Sequence, residues 1–517
     1  MKNKIYAGLN GYLVFALLLF CFSCKKEVQD VPGPVLSDEK EITSFVFEAA
    51  KNPQYLVNDV HLEIQGDKIV GRVPFFSDIS QLVATYETTG QSIKMGGVVQ
   101  QSGRDTNNFR QNLLYTVLAE DGSSRNYEVS LTNFTGLPCV FITTENKTAI
   151  TSKVDYVQGK MSIYATQQYL NQDYNGEIEI RGRGNTTWAS FPKKPYKIKL
   201  KSKESLLGMP AEKDWVLLAN YTDKSLLRNA LAFDIGRRLQ MDYVTKSAFV
   251  EVFLNEMYVG TYQLAEQLEE GSDRVDVKDG GYLVEVDQLS RLDKGDVYFH
   301  TKRLSGARVV NIKYPDSDDI TEAQQKEIAS YVENAEDVLY SDSFLDPENG
   351  YRKYLDVKSF ADWYIVNELL RNNDAIFFSS VYMHKKKDGK LVMGPLWDFD
   401  LSTGNINYNE NDNPEGWWIR KSVWIARLFE DPYFRNLLKE RWAFLMKDKS
   451  QIFSFINGSS NYLGLSEIEN HNKWNTLYNY TWPNGFVFGS YQNEVQHMKD
   501  WLSKRIAWMN TEIQNMQ

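Results

Sequence analysis

Residues 393–404 of this chain read MGPLWDFDLSTG, where Asp398 and Asp400 bracket Phe399 at the point an apolar run enters a turn. An unpaired buried charge is costly, so two carboxylates there call for a divalent cation, a basic partner or a turn to cap. Upstream, NELLRNNDAIFFSSVYMHKKKDGKLVMGPLW reads as a helix end, a strand FFSSVYMH, a turn at Asp388-Gly389 and a returning strand. Closure of that hairpin draws Asp374, which precedes it, toward Asp398 at its end. Acids placed this way suit a base plus a metal ligand for phosphoryl transfer, one orienting a hydroxyl and one holding Mg2+. They also suit a capped turn and a salt bridge.

Two further stretches carry polar residues in unusual settings. In EIEIRGRGNTTWASFPKKPYKIKLK, residues 177–201, two strands flank a loop with Gly182, Gly184 and Asn185. Glycines there let backbone N–H groups approach an anion, and Lys193, Lys194, Lys197 and Lys199 supply positive charge. A plain hairpin with exposed lysines is the alternative. In DWVLLANYTDKSLLRNALAFDIGRRL, residues 214–239, the spacing predicts a helix over 222–239, capped by Thr222 or Asp223. Arg228 and Asn229 interrupt its apolar stripe, either because they reach a cleft or because the arginine is paired inside the core.

The elements that must position these groups fall into two textures. From Glu41 to about Asn133, short alternating segments read as strands, with hairpin turns at Gly66-Asp67 and Asp121-Gly122. That spacing predicts an all-β immunoglobulin-like sandwich over 40–135, a spacer or a module for a glycan or envelope partner. From 136 to 517 strands come first (PCVFITT, EIEIRG, PYKIKLK, DWVLLA, AFVEVFLN, VGTYQLAEQ, GYLVEVD, RVVNIKY) and helices dominate after about residue 320. A sheet-rich part followed by a helical part predicts an α+β, two-lobed domain with its site in the cleft between lobes.

Composition narrows the function. At 517 residues the chain exceeds one ordinary core. A net charge of −10 argues against general nucleic-acid binding. The five histidines show no HExxH spacing, which argues against a zinc protease. Paired carboxylates could serve glycosidic cleavage, but a sequence gives no carboxylate separation. The aromatic clusters EGWWIR and NYTWPNGF suit carbohydrate stacking or, more simply, a helical core. At the start, Lys2 and Lys4 precede an apolar run from Tyr12 to Phe22 and then Ser23-Cys24. The run is too short for a membrane span and reads as a signal peptide over 1–23. Residues 24–39 read as a polar tether.

The small residue before Cys24 resembles a lipobox, which implies an exported lipoprotein of the Bacteroidetes type anchored through Cys24, at the outer membrane or the cell surface. The ordered motifs RGRGNTTW, KKPYKIKL, LLGMPAEKDWVLLANYTDKSLLRNALAFDIGRRL, VEVFLNEMYVGTYQLAEQLE and WDFDLSTGN resemble the spore-coat CotH kinase family over roughly 137–515. The resemblance implies a divergent protein-kinase-like fold and transfer of phosphate from ATP to Ser or Thr of an acceptor protein, with Mg2+ or Mn2+. Carried over, Asp398 and Asp400 are the metal ligands and Asp374 the catalytic acid–base residue. Lys197, with Lys199 on the same strand face, pairs with phosphate beside Gly182, Gly184, Asn185 and Arg228. Glu266, in YQLAEQLE, borders the nucleotide base. Where many kinases keep an Asn after the catalytic Asp, Ser379 and Ser380 stand here. That departure keeps open a second reading, an inactive kinase-fold lipoprotein that binds glycans.

Overall fold

A computed structural model describes residues 35–517 except 57–58, 74–78, 133–134, 166–168, 170–171, 279 and 305. The signal segment, Cys24 and most of the tether therefore lie outside the described residues. The chain divides into two compact units, one of residues up to 71 with 78–131 and one of 72–77 with 132–517.

The first unit is all β. Its strands are β1 (Ile42–Phe47), β2 (Val60–His61), β3 (Glu63–Gln65), β4 (Lys68–Arg72), β5 (Leu82–Val83), β6 (Thr85–Thr88), β7 (Ser92–Met95), β8 (Val98–Val99), β9 (Thr106–Asn107), β10 (Leu113–Leu118) and β11 (Ser124–Thr132). They form a three-stranded sheet β2-β1-β6, a six-stranded sheet β3-β4-β11-β10-β7-β8 and the pair β5-β9. Alternation decides which side chains meet: Phe45 and Phe47 of β1 bury with Tyr115 and Val117 of β10, and Phe45 meets Tyr115 edge-on. Both hairpins expected from the sequence form. Gln65 pairs with Lys68 across Gly66-Asp67, and Leu118 with Ser124 around Gly122.

The second unit opens with a closed barrel of β12 (Cys139–Thr144), β13 (Val157–Tyr164), β14 (Tyr174–Gly182), β15 (Tyr196–Glu204), β16 (Glu212–Leu218), β17 (Ser247–Leu254) and β18 (Met257–Glu266). Its order is β12-β13-β14-β15-β16-β18-β17, and the parallel pairing of β12 with β17 closes it. Ile178, Ile180, Ile198, Leu200, Trp215, Leu217, Val250 and Leu264 fill the interior. Helix α1 (Thr186–Ser190) lies between β14 and β15, and α2 (Arg228–Arg238) between β16 and β17. A five-stranded sheet comes next, built of β19 (Tyr282–Gln288), β20 (Val297–Phe299), β21 (Arg308–Tyr314), β22 (Val381–Lys385) and β23 (Leu391–Met393) in the order β20-β21-β19-β22-β23.

The remaining helices are α3 (Glu322–Leu339), α4 (Val357–Leu370), α5 (Val423–Leu428), α6 (Pro432–Met446), α7 (Lys449–Tyr462), α8 (Ser466–Trp474) and α9 (Tyr491–Gln514). A mixed α and β architecture is thus present, as the sequence texture implied. The last eleven residues of helix α4 are buried on every face because it packs against α2, α6 and α9 together. Among the described residues no helix is long and apolar enough to cross a membrane.

Two local expectations are corrected. Helix α2 begins at Arg228, not at 222, because Asp223 bends back to accept the backbone N–H of Arg228 at 2.8 Å and Leu226 takes a left-handed φ of 62°. The strand expected as FFSSVYMH begins only at Val381, because Phe377 and Ser380 have φ of 61° and 56° and turn the chain there.

Candidate active site

A cavity of about 670 Å³ in the second unit collects most of the polar residues that the sequence singles out. One part of its lining comes from the barrel and its loops: Arg183, Gly184, Asn185, Phe191, Lys197, Leu218, Ala219 and the segment Gln267–Glu269. Another comes from the five-stranded sheet and the segments flanking its hairpin: Glu285, Asp287, Asn311, Lys313, Asp374, Asp398 and Asp400.

Asp374 is placed by the end of α4. Arg371 takes a left-handed φ of 48°, and its guanidinium donates to the carbonyls of Glu415 and Gly416 at 2.8 and 2.9 Å. Trp418 and Asn409 hold Asn373 through its carbonyl and its side-chain oxygen. The Asp374 carboxylate then accepts from Asn373 Nδ2 at 2.7 Å and from Ser379 Oγ at 3.1 Å, with an Arg291 nitrogen at 4.0 Å.

Asp398 comes after β23 and sits at φ 65°, a left-handed conformation that Asp tolerates better than most residues. Ser380 Oγ donates to its carboxylate at 3.4 Å. Consecutive serines, 379 and 380, therefore touch the two carboxylates that hairpin closure was expected to approximate. Asn229 accepts the Phe399 N–H at 2.8 Å, and Arg228 donates to the Ser402 carbonyl at 2.9 Å, so the start of α2 holds the WDFD segment in place. Gly404 is required, because a Cβ there would press into the Trp501 ring at 2.6 Å and its φ is 70°.

The electrostatics are those of crowded carboxylates. Burial, and then the charge of Asp398, push Asp400 up to about 8 although Thr222 Oγ1 donates to it at 2.9 Å. Asp398 opens onto the cavity, yet it is raised by the surrounding protein and by Asp374. Glu285 is raised to about 7, chiefly by burial. Neither Asp398 nor Asp400 has a Lys or Arg nitrogen within ion-pair distance among the described residues. An all-oxygen donor set with unrelieved repulsion fits a hard divalent cation. No group of three acidic, His or Cys side chains converges as a ready-made cage among the described residues, but Mg2+ is commonly held by one or two carboxylates plus substrate phosphates.

The other expected site residues differ in where they lie. Lys197 lines the cavity and pairs with Asp214 at 2.8 Å, while Lys199 is exposed outside it. Gly184 (φ 77°) and Asn185 line it, the latter held by Lys153 at 3.0 Å. Gly182 lies beneath the Trp188 ring, where a Cβ would meet ring carbons at 2.3 Å. Arg228 is buried against Asp223, outside the cavity lining. Glu266 is also buried and accepts from Tyr243 and from the Lys246 N–H at 2.8 Å; the cavity is lined instead by the next three residues, Gln267, Leu268 and Glu269.

Sequence reasoning passed over Arg183, Glu285, Asp287, Arg291 and Lys313. Glu285, Asp287 and Lys313 sit in GYLVEVD and RVVNIKY, recognised only as strands, and their period-two spacing was the available signal. Of the two aromatic clusters, Trp417 and Trp418 pack on the core as expected, whereas Tyr480, Trp482 and Phe486 are exposed and Trp482 borders the cavity.

Residues 178–509 match the family described as CotH kinase protein. This chain belongs to that family. The matched span contains the cavity residues from Arg183 to Trp482. Membership brings with it ATP use in general. No curated protein matches the chain. Two crystal structures are similar in part. A protein from Bacteroides fragilis, provisionally described as secreted, is 18% identical, with a TM-score of 0.14, over 19% of this chain and 96% of its own. A provisionally described glycoside hydrolase from Bacteroides thetaiotaomicron is 13% identical, with a TM-score of 0.17, over 57% of this chain and 88% of its own.

Proposed function

We propose that this CotH family member is an exported, lipid-anchored protein kinase that transfers the terminal phosphoryl group of ATP to Ser or Thr of an acceptor protein. The observation that carries the reading is the pair Asp374 and Asp398, delivered to one cavity from either end of a hairpin, with Ser379 and Ser380 touching one each. In this reading the first unit is an immunoglobulin-like spacer or envelope-binding module. The second is a divergent kinase-like domain with the barrel and the helical part as its lobes. Cys24 carries the lipid and holds the protein at the outer membrane or cell surface.

The roles come from the surroundings. Asp374, steadied by Asn373 and Ser379, accepts the proton of the acceptor hydroxyl as the hydroxyl oxygen attacks. Asp398 and Asp400 would hold Mg2+ or Mn2+, which when bound neutralises developing charge on the phosphates. Phe191, Leu218, Ala219 and Leu268 give the cavity lining apolar surface suited to a nucleotide base, and Lys197 in the same lining supplies positive charge for the phosphates. Gly184 and Asn185 bring backbone to the same cavity lining.

The test is phosphate transfer from radiolabelled ATP by the full chain, with Mg2+ or Mn2+, into envelope proteins or itself. Asp374→Ala is expected to lose at least about 100-fold in rate at unchanged thermal stability, the scale of a lost general base. Equal transfer by the variant would remove Asp374 from the role. One observation favours a second reading: the exposed Tyr480, Trp482 and Phe486, of which Trp482 borders the cavity, suit sugar stacking. A glycan array positive for the full chain, with no transfer under any metal, would select the inactive binding protein.

A further inference from the structure

Not all cations of the cavity are equally committed. Lys197 is engaged by Asp214 at 2.8 Å, Lys153 by Asn185 at 3.0 Å, and Arg291 by Ser379, with Asp287 at 3.9 Å and Asp374 at 4.0 Å. Arg181, Arg183 and Lys313 differ: Arg181 lies 5.1 Å from the centre of the Tyr156 ring with its Nε buried and without an acceptor. Among the described residues neither Arg183 nor Lys313 has a side-chain hydrogen-bond acceptor or a carboxylate within ion-pair distance. Arg183 extends from the loop after β14, and its guanidinium lies 5.4 Å from the centre of the Trp397 ring, one residue before Asp398. Lys313 projects from β21, two residues after Asn311, whose side-chain oxygen is buried and also lacks a donor. The fields of both cations meet at Glu285, and Arg183 also feels Asp398.

A guanidinium removed from bulk water and left unpaired is costly unless a ligand completes it. Arg183 is half-buried at the cavity wall, and that burial pulls its proton affinity down in spite of the neighbouring carboxylates. The cation–π contact with Trp397 uses none of its N–H groups, which are left for a partner. An unpaired guanidinium is suited to bidentate recognition of a phosphate, and Lys313 of β21, in the same cavity lining, supplies a second positive charge without geometric demand.

We propose that Arg183 and Lys313 form the polyphosphate-binding pair of this cavity, and that Lys197 is chiefly held by Asp214. The proposal rests on the ATP-dependent reading above and assigns its phosphate contacts. The two cations come from separate elements, so a bound polyphosphate ties the loop after β14 to β21. The pair recognises the phosphate chain and not the base, so adenosine needs neither residue.

The experiment is a binding titration of the full chain with ATP, inorganic tripolyphosphate and adenosine, each with Mg2+, in wild type, Arg183→Ala, Arg183→Lys and Lys313→Ala. Arg183→Ala is expected to weaken ATP and tripolyphosphate by about 10- to 100-fold, the scale of losing charge-assisted hydrogen bonds. Adenosine affinity and ligand-free thermal stability should be unchanged. Lys313→Ala should show the same selectivity with a smaller loss, and Arg183→Lys should recover only part of it. ATP binding retained by Arg183→Ala would overturn the assignment. So would a drop in ligand-free stability with equal losses for adenosine and ATP, which would make Arg183 a staple for Glu285 and Asp398. A wild-type chain that binds no ATP at all would instead overturn the kinase reading.

Discussion

Two sets of carboxylates in the second unit are treated in opposite ways. Glu368, Asp223 and Asp362 are fully buried and each is matched by an arginine: Arg505 at 2.6 Å, Arg228 at 2.5 Å and Arg441 at 2.6 Å. Glu368 also accepts the Trp418 and Arg420 N–H groups, and Asp223 the Ser225 and Arg228 N–H groups. Asp398 and Asp400 are only a few residues from these networks, yet they face the cavity with serine and threonine hydroxyls as partners and no cation in ion-pair reach among the described residues. The scaffold therefore can neutralise buried acids where order is needed. Other buried acids, Glu251 and Glu336 among them, also have hydroxyl donors in place of an ion pair. Asp398 and Asp400, however, are crowded together and line a cavity, and crowded acids in a cleft concentrate at functional sites.

The largest expected effect comes from breaking the satisfied set. Glu368→Ala should lower stability by about 3–5 kcal/mol, since it strands the buried Arg505 and frees two backbone N–H groups. Denaturant unfolding of the full chain measures it. A loss below about 1 kcal/mol would show that the network does not carry the helical core.

A smaller and opposite effect is expected at the unsatisfied set. Asp398→Asn relieves the crowding of carboxylates around Asp400, so ligand-free stability should hold or rise slightly. The stabilisation by Mg2+ with ATP should vanish. At 100 times its dissociation constant a ligand adds about 2.7 kcal/mol, and that increment is what the variant would lack. Thermal unfolding with and without Mg2+-ATP reads both quantities. If ligand-free stability falls as far as in Glu368→Ala, Asp398 belongs with the structural acids and the contrast fails.

Much of this contrast was legible in the sequence because it depends on short range. The hairpin arithmetic that joins Asp374 to Asp398 needs only two strand segments and a turn signal. The strands of the barrel and helices α3, α4, α6 and α9 announce themselves by periodicity. What escaped depends on tertiary partners. Arg228 looked awkward in an apolar stripe, and nothing local says that Asp223 and the Ser402 carbonyl absorb it. Glu266 fell one step short of the cavity because strand β18 keeps it inside until the chain turns at Gln267. Helices α7 and α8 carry Gly458 and many Ser and Asn residues, a poor intrinsic helix composition. Contacts to the barrel set α8 in place instead, through Asn470 with Lys193 and Ser466 with Thr261.

That last contact offers the finest test of how this fold handles buried charge. Lys193 is buried beside β18 and donates to the Thr261 carbonyl at 2.5 Å and to Asn470 Oδ1 at 2.7 Å, with Glu251 farther off. It is thus a third case, a cation satisfied by neutral oxygens alone. Burial pulls it down to about 7 from an ordinary value of 10.5. The unfolded chain then binds more protons than the folded one between about pH 7 and pH 10.5, so this group makes stability rise with pH across that window. Below about pH 7 both states are protonated and the burial penalty is present in full. Lys193→Met removes the titration, so its stability curve should lose a slope of at most about 1.4 kcal/mol per pH unit between pH 7 and 9 relative to wild type. Urea unfolding at four pH values in that interval resolves such a slope. Parallel curves would mean that Lys193 stays charged in the fold, with Glu251 as its effective partner, and the cation would join Arg228 and Arg505 in the matched set.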